Sequence, residues 1–144
     1  MKPILKPIAL LGILLLVCTT VNAQKKRLKR PSSTVGIYSV DTFVRESFDI
    51  YAKVYHYDQK SQSEQPLSDH DIDILENALT DVSRLTESAP NVLGDLDGQG
   101  ALKQAKATLQ INRAKKALRY SLETGTRLLK GRQENNDEDD DGSG

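Results

Sequence analysis

The sequence predicts an all-α protein, a small three-helix antiparallel bundle with disordered charged termini. Three observations lead there. Apolar residues recur at three- and four-residue steps in three separate stretches. The connecting segments are polar or rich in proline and glycine. One stretch, 101–130, contains no proline and a single glycine, Gly125, among many good helix formers.

The chain divides into a signal segment (1–23), a basic flexible arm (24–34), a helical domain (35–133) and an acidic disordered tail (134–144). Lys2 and Lys6 open a positive region, Ile8 to Val17 is an apolar run broken only by Gly12, and Val21-Asn22-Ala23 suits a signal peptidase. That three-part pattern predicts cleavage before Gln24 and a secreted or periplasmic protein. Two other readings compete. Leu15-Leu16-Val17-Cys18 resembles a lipoprotein signal that would be anchored through Cys18. Alternatively the run is retained as an anchor, because the bases just after it favour the cytoplasmic side.

Cys18 is the only cysteine, so a chain starting at Gln24 has no disulfide, thiol nucleophile or thiolate metal site. The full chain carries 20 bases and 20 acids. Losing Lys2 and Lys6 leaves 18 and 20, a net charge of −2. That balance argues against a nucleic-acid partner. The charge is nevertheless segregated. Lys25, Lys26, Arg27, Lys29 and Arg30 crowd the arm, and Pro31-Ser32-Ser33 ends it without apolar periodicity.

The first helix is predicted over 40–57, where Val40, Phe43, Val44, Ser47, Phe48, Tyr51, Val54 and Tyr55 share a face, with Ser39 or Asp41 as its cap. It holds both phenylalanines and most of the tyrosines, so it should supply the large core side chains. Residues 58–67 read as a polar surface loop. The second helix is predicted over 68–86. Ser68 and Asp71 form a capping box, Leu67 and Ile72 a hydrophobic staple, and Ile72, Leu75, Ala78, Leu79, Val82 and Leu85 the buried stripe. Its outer side is acidic. Residues 88–100, with Pro90, Gly94, Gly98 and Gly100, should break the helix and fold over the bundle's end.

The third helix, 101–130, is strongly basic: Lys103, Lys106, Arg113, Lys115, Lys116, Arg119, Arg127 and Lys130 against Glu123 alone. Its apolar residues form two sets, Leu102, Ala105 and Leu109, then Ile111, Ala114, Leu118, Leu122, Gly125 and Leu129. At about 100° per residue these lie nearly opposite. The helix therefore either serves one neighbour and then the other, or bends near Asn112.

No chemistry stands out. His56 and His70 lie in different helices without metal-ligand spacing. No phosphate loop, dinucleotide fingerprint or nucleophile elbow is present. Asp137, Asp139, Asp141 and Gly142 imitate the start of a calcium loop, but the closing glutamate is missing. The sequence thus implies no catalytic residue, no cofactor and no metal. It points to a noncatalytic exported protein of structural or interaction type with a protein partner. The alternative is a binder of anionic membrane or polysaccharide through Lys25, Lys26, Arg27, Lys29, Arg30, Arg113, Lys116, Arg119 and Arg127. Leftover apolar surface on the long helix also allows self-association.

Overall fold

A computed structural model describes residues 26–63 and 65–139, with the backbone alone at 133 and 135–139. Three helices pack on one another: α1 (Tyr38–Gln62), α2 (Asp69–Gly94) and α3 (Ala101–Asp139). The all-α bundle is as the sequence predicts, but every helix is longer than predicted. The signal segment, Cys18 and residues 140–144 lie outside the described residues.

The N-terminus of α1 is tied from inside rather than capped by Ser39 or Asp41. Ile37 holds the cap position without a side-chain bond. Asp41, in the first turn, accepts from the Val35 and Gly36 amides at 2.7 and 2.9 Å. Gly36 has φ +81°, a conformation glycine adopts without strain. At its other end α1 continues through residues 58–62, predicted as loop. The buried register Tyr51, Val54, Asp58 explains this extension, because it keeps the inward face going for another turn.

The α2 capping box forms as read. The Asp71 amide donates to Ser68 Oγ at 3.2 Å, and the Asp71 carboxylate accepts from the Ser68 amide at 2.8 Å. Its C-terminal end departs from expectation, since the helix runs through Pro90 to Gly94. An interior proline costs a helix about 3 kcal/mol. The stripe continues, however, through Leu85, Ala89 and Val92, and Leu96 is buried just beyond. Burying each large aliphatic side chain gains about 1.5–3 kcal/mol, enough to offset the proline. The short turn to α3 uses Gly98 at φ +78°, and Gln104 Nε2 donates to the Leu96 carbonyl at 2.9 Å.

In α3 the predicted change of face does not occur. One continuous face is buried, made of Ala107, Gln110, Ile111, Ala114, Ala117, Leu118, Ser121, Thr124, Gly125 and Leu128. Leu102, Ala105 and Leu109 are left in solvent, Leu102 at 86% and Leu109 at 54% exposure. The face consists largely of small residues, which lets the helices approach closely. A Cβ built on Gly125 would stand 2.8 Å from Leu79 Cδ2 of α2. Ser47 and Ser121, fully buried, donate to the Phe43 and Ala117 carbonyls one turn back. Beyond Arg132 the acidic stretch set apart at 134 begins as helix, up to 139. Arg132 fastens this part of α3 to the Leu67 carbonyl and to Asp69.

Candidate interaction surface

The basic residues singled out in the sequence fall into separate groups. Lys25 lies outside the described residues. Over 26–34 the arm is not free but strapped across α1 to α3, a correction to the flexible reading. The Leu28 amide donates to Tyr51 Oη at 2.9 Å, and Arg30 bonds the Asp49 carboxylate. The Arg27 guanidinium stands 5.1 Å from the Tyr55 ring centroid. Further on, Gln110 Nε2 donates to the Ser33 carbonyl at 2.7 Å and Lys106 Nζ to the Thr34 carbonyl at 2.6 Å. A chain without helical periodicity is held because its backbone groups find side-chain partners on two helices. Lys26 and Lys29 stay exposed.

On α3, Arg113, Lys116 and Arg119 are exposed and form no ion pair among the described residues. Arg127 does not join them. It turns to α1 and meets Asp58 at 2.5 Å. Among the described residues, only Asp69 of the acidic α2 forms an ion pair with the basic α3, through Arg132. Asp71 is taken by Lys60 of α1 at 2.6 Å, and Asp81 by Arg84 of its own helix. The Lys60 ammonium, followed by the Ser68 amide, holds the Asp71 carboxyl well below the usual aspartate range, at about 2.

Sequence reasoning missed the polar cluster inside the α1–α3 interface. Asp58, whose side chain is 9% exposed, accepts from Tyr120 Oη at 2.6 Å and from Arg127. Burial first, then the adjacent Asp58 carboxylate, pushes the Tyr120 hydroxyl above the ordinary tyrosine range. The Tyr120 ring packs against Tyr51, centroids 5.0 Å apart, and Tyr55, 6.3 Å away. The available signal was Asp58 itself, which continues the α1 stripe at a four-residue step from Val54. A tyrosine kept protonated beside a paired carboxylate, with its ring packed on two others, joins two helices. A groove of about 460 Å³ runs beside the strap, lined by Arg27, Arg30, Phe48 and Tyr51, and neither Asp58 nor Tyr120 lines it.

A second groove, of about 430 Å³, opens between α2 and α3. Its walls are apolar, with Phe43, Val82, Pro90 and Leu118 among them, and Lys115 and Arg119 stand on its α3 side. Leu93 and Leu122, also part of its lining, are 38% and 48% exposed. His56 and His70 are both exposed, and the described residues hold no cluster of three or more His, Cys, Asp or Glu able to bind a metal. No helix among the described residues is long and apolar enough to cross a membrane. No family model, curated protein or solved structure matches this chain.

Proposed function

We propose that this is an exported, noncatalytic interaction protein whose working face is the outer side of α3, and that the surface it meets is an anionic membrane. The observation that carries this reading is a single stripe. Leu102, Leu109, Arg113 and Lys116 follow one another at steps of seven, four and three residues, so they share a face. All four are exposed, and neither cation has an ion-pair partner among the described residues. A face that combines apolar and cationic residues suits the boundary between lipid head groups and acyl chains. Each cation near an anionic bilayer contributes about 1 kcal/mol, and each leucine that leaves water about 1.5–3 kcal/mol. Those magnitudes favour reversible attachment. Export rests on the signal pattern of residues 1–23. The noncatalytic reading rests on Asp58, Tyr120 and Asp71 being paired within the bundle rather than gathered in a cleft.

The test is cosedimentation with vesicles, using the chain from Gln24 onward, which retains every described residue. Vesicles containing phosphatidylglycerol should pellet the protein at low salt and progressively less as salt rises. Neutral phosphatidylcholine vesicles should not. A variant with Leu102→Ser, Leu109→Ser, Arg113→Glu and Lys116→Glu should remain in the supernatant with unchanged helical circular dichroism. Failure of the parent chain to bind at low salt, or equal binding by the variant, refutes the proposal. If binding survives that variant but is lost with Lys26→Glu and Lys29→Glu, the active surface is the strap.

A further inference from the structure

We infer that the groove between α2 and α3 is a binding site for one single-chain amphiphile with a carboxylate head, a fatty acid in chemical class. Four features support this, and none depends on the membrane-binding reading. The groove's walls are almost wholly apolar, from Phe43 and Val82 to Leu118. Its volume, about 430 Å³, lies toward the low end of small-molecule sites, which suits one chain rather than two. Leu93 and Leu122 remain substantially exposed there, so apolar surface is still available to an occupant. Lys115 and Arg119 are four residues apart on α3 and both line the groove. Neither has an ion pair among the described residues, so an anionic head would meet two free cations, one of them a planar fork that matches a carboxylate.

Thr86 and Pro90 both line the groove. The site therefore combines an apolar slot and a cationic edge, with no acidic side chain among its lining residues. An amphiphile of opposite head charge would meet repulsion, and an acidic peptide would find the charge but only a short apolar slot.

The experiment is calorimetric titration of the chain from Gln24 with dodecanoate below its micelle concentration, alongside dodecanol and dodecyltrimethylammonium. Dodecanoate should bind at one site per chain. The cationic amphiphile should bind more weakly by about tenfold or more, the size of effect expected when two charge contacts reverse sign. Lys115→Glu with Arg119→Glu should cost dodecanoate a similar factor. Thr86→Trp, at an exposed position, should fill the slot and abolish binding of all three probes while leaving helicity and the thermal midpoint nearly unchanged. Arg113→Glu with Lys116→Glu should leave dodecanoate binding intact, which separates this site from the membrane-facing stripe. The inference is overturned if dodecanoate does not bind, if Thr86→Trp binds it normally, or if head charge makes no difference. It is equally overturned if ultracentrifugation shows a dimer that Thr86→Trp dissociates and dodecanoate does not, because the groove would then belong to a second copy of the chain.

Discussion

Replacing Asp58 with alanine tests whether the polar cluster between α1 and α3 holds the bundle together. The substitution removes the acceptor of the Tyr120 hydroxyl and the partner of Arg127. A donor of this kind stranded in a protein interface costs about 1–3 kcal/mol. Arg127 contributes little to that cost, because its side chain is 59% exposed and water can replace the carboxylate, so its share is about 0–1 kcal/mol. Alanine returns up to about 0.7 kcal/mol through its better helix propensity. The net expectation is a loss of about 0.3–4 kcal/mol, most of it through Tyr120. Urea unfolding followed by circular dichroism measures this as a lower midpoint with an unchanged slope. The decisive comparison is the same substitution in a Tyr120→Phe background, where no hydroxyl remains to be stranded. There the cost should fall below about 1 kcal/mol. An equal cost in both backgrounds would refute the assignment of the cluster's energy to the Tyr120–Asp58 bond.

Two further outcomes follow from the packing and the titration of the bundle. Gly125→Ala should destabilise by up to about 2 kcal/mol, since its Cβ meets both Cδ2 and Cγ of Leu79 at 2.8 and 3.3 Å, and overpacking outweighs the gain of about 1 kcal/mol from better helix propensity. In a Leu79→Ala background the same change should become stabilising, and chemical denaturation showing no such reversal would sink the close-approach argument. Asp71 titrates at about 2 in the fold, below its unfolded value near about 4. Its stabilisation is therefore present above about pH 4 and is lost as pH falls through about 2. The stability gap between the parent and Asp71→Asn should hold steady at neutral pH and shrink across that acidic window. A gap that stays constant down to pH 2 (about the folded value) would contradict the Lys60 and Ser68 contacts.

The parts of the fold legible in the sequence are those fixed by short-range chemistry. The Ser68–Asp71 box lies within one turn, and the stripe from Leu75 to Leu85 uses large aliphatics whose spacing is unambiguous. Helix ends were less legible. Pro90 is a strong local stop signal, yet Ala89, Val92 and Leu96 continue the register and the tertiary burial outweighs it. Asp58 is ambiguous in the same way, because its polarity suggests a loop while its position continues the core face of α1. The strap is not legible in the sequence because its anchors, Tyr51 Oη and Gln110 Nε2, belong to distant parts of the chain. For the surface, helical spacing placed Arg113 and Lys116 on one side, but it could not tell that Arg127 would be claimed by α1 while Arg119 stood beside an apolar groove.

The largest discrepancy, in α3, links the fold to the proposed function. Ranking residues by hydrophobicity draws attention to Leu102, Leu109 and Leu122, and these are the ones left substantially exposed. The face that packs is built instead from Ala107, Ala114, Ala117, Ser121 and Gly125, with Ile111 and Leu118 among them. Small residues let neighbouring backbones approach closely, and Gly125 against Leu79 shows how little room remains. That closeness has a consequence on the other side of the helix. Leu102, Leu109 and Leu122 lie off that inward face, which already seats Ile111, Leu118 and Leu128, so they stay outside beside the cations. Replacing an inner alanine with leucine would not strengthen the bundle but would push α3 away from its neighbours. The exposed apolar and basic side of α3 thus lies apart from the face that packs, and substitution of Leu102, Leu109, Arg113 or Lys116 should leave the fold intact.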